Sequence, residues 1–169
     1  MRILKIVAVA ALGLVTLSAC DNKKEETAKS VPAKTYTLSE ADNKQFLADY
    51  AAREGTKKTA DGLMYRVIKA GNGASPKSPG DMVTVYYKGS TIDGKVFDQT
   101  EQGEPRSFPV GALIPGWVEA LNLMKEGDEW ELAIPSELGY GAEGAGGGVI
   151  PPNQALVFTM TLVRVEKPQ

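Results

Sequence analysis

The sequence predicts an α+β domain in which one short helix lies against a curved antiparallel β-sheet. Two observations carry this. From Asp61-Gly62 onward, apolar and polar residues alternate in several short runs, the period of a strand with one buried face. Only one later stretch keeps helical spacing instead.

The elements follow in order. Residues 63–68 form a first strand. In residues 82–88, Val83, Val85 and Tyr87 share one face, with Thr84, Tyr86 and Lys88 on the other. Asp93-Gly94 is a turn signal, after which Val96-Phe97 begins a further short strand. The helix spans residues 117–125: Trp117, Ala120, Leu121 and Met124 make its buried stripe, and Gly127 is the expected C-cap. Trp130, Leu132 and Ile134 alternate in residues 129–134, and Leu156, Phe158, Met160 and Leu162 in residues 155–165.

The 169 residues, 43% of them apolar, suffice for one ordinary domain core. Ahead of the domain at 61–169, the text falls into three pieces. In residues 1–19, Arg2 and Lys5 precede an uncharged apolar run, the pattern of a signal peptide; the run is too short for a membrane-spanning helix. Residues 20–35, rich in Lys, Glu and Ser and without aromatics, are an expected disordered tether. Residues 36–60 are an expected helical extension, with Ser39 as N-cap, Phe46, Leu47, Tyr50 and Ala51 on one stripe, and Gly55 past its end. That stripe either packs on its own domain or forms a dimer contact.

Leu17-Ser18-Ala19-Cys20 resembles the lipobox of bacterial lipoproteins, which implies cleavage before Cys20 and lipidation of its thiol. Cys20 is the only cysteine, so it has no intramolecular partner in an oxidising compartment. Loss of residues 1–19 removes Arg2 and Lys5, leaving 17 basic and 21 acidic residues and a formal charge of −4. No nucleic-acid footprint is present.

With no histidine, and with its one cysteine spoken for, the chain has no Ser/His or Cys/His nucleophile and no His-ligated metal site; neither cofactor nor metal is expected. Glu25-Glu26 and Asp128-Glu129 are read as solvated charge. The Gly-rich run from Gly139 to Asn153 lacks the phosphate-loop pattern; it is either a flexible loop across a site mouth or simply a surface loop. What remains is a set of aromatic and aliphatic residues beside turns: Tyr87, Phe97, Phe108, Leu113, Ile114, Trp117, Tyr140, Ile150 and Phe158. Singly, each reads as core.

Together, in order and spacing, Val85-Tyr86-Tyr87-Lys88-Gly89, Asp93-Gly94-Lys95-Val96-Phe97-Asp98, Leu113-Ile114-Pro115-Gly116-Trp117, Tyr140-Gly141 and Ile150-Pro151-Pro152-Asn153 closely resemble the FKBP family of peptidyl-prolyl cis-trans isomerases. The likeness covers residues 61–167, and the preceding segment resembles the bacterial Mip-like branch. It implies a half-barrel sheet wrapped around a single helix, with Trp117 as the floor of a proline pocket. Tyr87, Phe97, Phe108, Leu113, Ile114 and Phe158 would form its walls and Ile150 its cap. Asp98, Tyr140 and the Ile114 N–H would be its catalytic polar groups. By itself Asp98 is equally a turn-stabilising carboxylate, and Tyr140 a phenol bonded to its own loop.

Two positions depart from the family pattern: Arg106, where an aromatic is usual, and Ala145-Gly146-Gly147, where some members carry a histidine. The resemblance implies isomerisation of Xaa-Pro bonds during folding of envelope proteins, without covalent catalysis. The alternative is a non-catalytic binding module or holdase. Implied partners are proline-containing polypeptides, macrolide inhibitors and a membrane reached through Cys20, in a monomer or weak dimer of the bacterial envelope facing the periplasm or the surface.

Overall fold

In a computed structural model of the chain, residues 34–168 are described. The expected leader, Cys20 and most of the tether lie outside them.

Seven strands form one antiparallel sheet: β1 (Lys57–Lys58), β2 (Met64–Lys69), β3 (Met82–Thr91), β4 (Val96–Gln99), β5 (Arg106–Pro109), β6 (Glu129–Ile134) and β7 (Leu156–Glu166). Their order across the sheet is β1-β2-β6-β7-β3-β4, with β5 also pairing β3. Strand β3 is the organiser. One edge runs along β7 from Met82–Glu166 to Thr91–Leu156, while its other edge is shared by β5 at the start and β4 at the end. A single strand thereby brings Tyr87, β4 and β5 to one place.

The alternation expected in β3 holds, with Val83, Val85 and Tyr87 buried. Together with Trp130, Leu132 and Ile134 of β6 and Leu156, Phe158, Met160 and Leu162 of β7, they pack on helix α2 (Pro115–Leu123). Trp117, Ala120, Leu121 and Met124 of the expected stripe are all buried. Pro115 opens the helix at a position where its missing N–H costs nothing. Gly116 lets the helix end approach β6: a Cβ there would stand 2.6 Å from Ile134 Cγ2.

Helix α1 (Glu40–Ala51) lies on the opposite face of the sheet. Phe46 and Tyr50 pack with Tyr36, Met64, Ile92, Ala133 and Ala155, of which Met64 and Ala133 alternate along their strands with residues facing α2. Ser39 caps α1, its Oγ accepting from the Asp42 N–H at 3.1 Å. The buried stripe is Asn43, Phe46 and Tyr50, whereas Leu47 is half-buried and Ala51 exposed. Its apolar side is therefore covered by its own sheet.

Other differences have physical causes. The helix α1 ends at Ala51 rather than near Glu54, and Gly55, at φ 76°, sits in the turn beyond it. Helix α2 is closed by Met124, whose N–H bonds the Ala120 and Leu121 carbonyls, and Gly127 belongs to the following turn. Asp128 is not solvated: it is 5% exposed and accepts from the N–H groups of Gly71 (2.5 Å) and Lys125 (2.7 Å). Strands β1 and β5 were not foreseen, being short and, for β5, preceded by Pro105 and ended by Pro109.

Candidate active site

A cavity of about 260 Å³ opens where β3, β4, β5, β7 and the start of α2 converge. Trp117, on the first turn of α2, is 4% exposed and meets three rings edge-on. The centroids of Tyr87, Phe158 and Phe108 lie 5.0, 5.2 and 6.3 Å from its own. Phe97 closes against Phe158 at 5.6 Å. Such edge-to-face contacts are the favoured geometry of aromatic pairs.

Gly89 makes the closure possible. It pairs with Asp98 on one side and Phe158 on the other, and a Cβ there would come within 2.5 Å of Phe158 Cε1 and 2.7 Å of Phe97 Cζ.

The expected pocket residues Tyr87, Phe97, Phe108, Leu113, Ile114, Trp117 and Phe158 all line this cavity, with Asp98 and Tyr140. Ala112 joins them without having been foreseen; as a small residue beside Leu113 it carries no signal in sequence. Ile150 does not line it. It is 5% exposed within the core beneath the loop, because Ala145 and Ile150 bond each other's backbone at 2.9 and 3.0 Å and turn the side chain inward.

The polar groups divide into two kinds. Asp98 is committed: its Oδ2 accepts from the Tyr87 hydroxyl at 2.5 Å, and Arg106 Nη1 donates to its Oδ1 at 3.2 Å and to the Tyr87 oxygen at 2.9 Å. No backbone N–H reaches the Asp98 carboxylate among the described residues, so it is not the turn-stabilising group that sequence alone allowed. Arg106, which stands where an aromatic is usual in the family, thus forms part of the pocket's polar wall. Burial first, and then the hydrogen bond to and charge of Asp98, push the Tyr87 phenol up to about 12.

By contrast, the Tyr140 hydroxyl and the Ile114 N–H bond no protein group among the described residues. Burial and the nearby Asp98 charge raise the Tyr140 pKa, so it is a neutral donor throughout the physiological range. The Ile114 carbonyl accepts from Trp117 and Val118 at 2.9 and 3.1 Å, which ties Ile114 to the first turn of α2 as its N-cap. An apolar box with two unclaimed donors at its edge suits an uncharged ligand rich in carbonyl groups.

Residues 73–163 match the family model described as FKBP-type peptidyl-prolyl cis-trans isomerase. The chain belongs to that family. Residues 13–67 match the domain found amino-terminal to it, taking in the end of the expected leader, the whole of the tether and helical extension, and the first residues of the domain. The FKBP-type 22 kDa peptidyl-prolyl cis-trans isomerase of Escherichia coli is 45% identical over 141 residues, covering 83% of this chain and 68% of the relative. The outer membrane protein MIP of Legionella longbeachae is 46% identical over 123 residues, 72% of this chain and 52% of the relative. Among solved structures, FkpA from Escherichia coli superposes with a TM-score of 0.71 at 45% identity, covering 76% of this chain and 59% of that one. The chain thus spans only about half the length of several relatives. As an FKBP it is an enzyme that isomerises the peptide bond before proline.

Proposed function

We propose that this FKBP accelerates Xaa-Pro isomerisation in polypeptides of the bacterial cell envelope, by desolvation and hydrogen bonding in the Trp117 pocket. The observation that carries the reading is the aromatic box with two unclaimed donors, the Ile114 N–H and the Tyr140 hydroxyl, beside the anchored Asp98.

The uncatalysed rotation crosses a barrier of roughly 18–20 kcal/mol and takes tens to hundreds of seconds. Reaching an ordinary turnover requires lowering it by about 3–7 kcal/mol. The planar amide owes its stability to charge-separated resonance, which water favours. A proline ring seated on Trp117 among Tyr87, Phe97 and Phe158 places the amide in an apolar surrounding that favours the less polar twisted state. The two donors hold the flanking substrate carbonyls, so the peptide twists about one bond. Asp98, fixed by Tyr87 and Arg106, keeps a constant field beside the rotating carbonyl. No nucleophile is needed.

The envelope reading rests on the leader-like residues 1–19, the lipobox-like ending at Cys20, and likeness to a protein named for the outer membrane. Cys20 would carry the lipid and residues 20–35 the slack between membrane and domain. The acyl chains of one lipidated cysteine meet the two-chain need of a stable anchor.

The test is the cis-to-trans rate of a Leu-Pro peptide with residues 20–169, with and without the family's macrolide ligand, beside Asp98→Leu. Acceleration blocked by the macrolide and weakened by the substitution supports the enzyme mechanism. Macrolide binding without acceleration would make the pocket a proline-binding module.

A further inference from the structure

The functional site leaves a buried pair of amides unused. Between α1 and the loop that precedes β7, Asn43 is 5% exposed and Gln154 is 6% exposed, in an interface otherwise built from apolar side chains. Burying two amides is costly unless every polar atom is bonded. Here they are. Asn43 Nδ2 donates to the Ser39 carbonyl at 2.9 Å and to Gln154 Oε1 at 3.1 Å, while Asn43 Oδ1 accepts from the Ala155 N–H at 2.8 Å. Gln154 Nε2 donates to the Leu38 and Pro152 carbonyls, both at 3.1 Å. A hydrophobic pair would glue the helix to the sheet equally well; an amide pair fixes register and direction as well.

What it fixes is the chain that carries Tyr140. Gln154 closes the turn at Pro152, and within that turn Asn153 takes the left-handed conformation at φ 59°. In that conformation the Asn153 N–H donates to the Gly141 carbonyl at 2.8 Å. The Gly141 N–H bonds the Ser136 carbonyl at 2.8 Å, and the Tyr140 carbonyl accepts from Gly144 at 3.1 Å. Tyr140 is 37% exposed, and its hydroxyl has no protein partner among the described residues. Its direction is therefore set by this backbone and by nothing at its tip. We infer that Asn43 and Gln154 are positioning residues for the isomerase site, a clasp through which helix α1 holds Tyr140 in line with the substrate. The inference rests on the reading of Tyr140 as a donor to substrate.

The groove beside the clasp, about 440 Å³ and lined by Leu38, Lys44, Leu47, Glu137 and Asn153 among others, is larger than the isomerase pocket. Its lining mixes both charges with few apolar groups and selects no ligand. Its importance here is that it leaves Asn153 exposed on one side, so the clasp is the support for that turn.

The test uses the full chain and its Gln154→Ala and Asn43→Ala variants, alone and combined with Tyr140→Phe. Phe46→Leu is the control that weakens the α1 packing and leaves both amides in place. If Tyr140 supplies one neutral hydrogen bond, its misplacement lowers kcat/KM by about three- to tenfold. The expected result has three parts. Gln154→Ala and Asn43→Ala fall in that range and speed amide exchange at Asn153, and their effect vanishes when Tyr140 is already Phe. Phe46→Leu lowers Tm with kcat/KM retained at a temperature where it is folded. Faster exchange at Asn153 with unchanged kcat/KM overturns the clasp as a positioning device, as does an equal loss in the Tyr140→Phe background. Wild-type activity in Tyr140→Phe alone would instead remove the role assigned to that hydroxyl, while the exchange data still decide whether the clasp holds the loop.

Discussion

The Tyr87 hydroxyl donates to Asp98 Oδ2 at 2.5 Å, joining strand β3 to strand β4 across the mouth of the pocket. Tyr87 is also one wall of the Trp117 box, at 5.0 Å between ring centroids. One residue therefore bonds the pocket's carboxylate with its tip and shapes its apolar interior with its ring.

This pairing predicts a measurable titration. The phenol is held up to about 12, above the ordinary value near 10, so the folded state favours the protonated form. Its contribution to stability is complete below pH ~10 and is lost as pH rises through about 12. In the ultraviolet difference between the wild type and Tyr87→Phe, the missing ionisation is expected near that upper value. In Asp98→Leu it moves down, because burial remains but the hydrogen bond and the carboxylate charge are gone. The same substitution is expected to cut kcat/KM by about tenfold, the loss of one hydrogen bond to a charged group. An unmoved Tyr87 titration in Asp98→Leu would refute the pairing as its cause.

The two tryptophans offer separate reporters. Trp117 floors the pocket, whereas Trp130 stacks on Tyr65 at 4.3 Å and 5° between planes, in the core beside β2. Macrolide binding is expected to change the fluorescence of the wild type and of Trp130→Phe, and to leave that of Trp117→Phe unaltered. Trp117→Ala, which removes the ring from a box of three others, should destabilise by about 3–5 kcal/mol, read as a fall in chemical-denaturation midpoint. A ligand signal that persists in Trp117→Phe would move the binding site elsewhere.

These residues were legible because each obeys a local rule. Val83, Val85 and Tyr87 alternate, Trp117 to Met124 keep helical spacing, and Pro115-Gly116 mark a helix start. The aromatics gained a shared purpose through their spacing and resemblance. What escaped was set by long-range pairing. Arg106 reaches Tyr87 and Asp98 because β5 pairs with β3, and β5 is four residues long, follows Pro105 and ends at Pro109. Asn43 meets Gln154 across 111 positions, and neither has a neighbour in sequence that announces it. Ile150 was placed over the pocket because its segment crosses the mouth, yet two backbone bonds turn it inward.

The lipid anchor is a chemical prediction about Cys20. Cells grown with labelled palmitate are expected to label the protein, and Cys20→Ser to abolish the label, since this is the only thiol in the chain. Label retained by Cys20→Ser would show attachment through another group and refute the anchor at this residue.

Asp128 separates stability from activity. It is buried in the turn between α2 and β6, where its two oxygens accept from the N–H groups of Gly71 and Lys125. Gly71 packs so close that a Cβ on it would collide with this turn's backbone. Asp128→Ala therefore leaves two part-buried donors without their acceptor, at a cost of about 1–3 kcal/mol in all. The expected outcome is a Tm lower by several degrees, with kcat/KM for a Leu-Pro peptide unchanged well below that temperature, because none of these groups lines the Trp117 cavity. Asp128→Asn retains one acceptor oxygen and should recover part of the loss. A variant that lost activity while keeping its Tm would tie this turn to the site and overturn the separation.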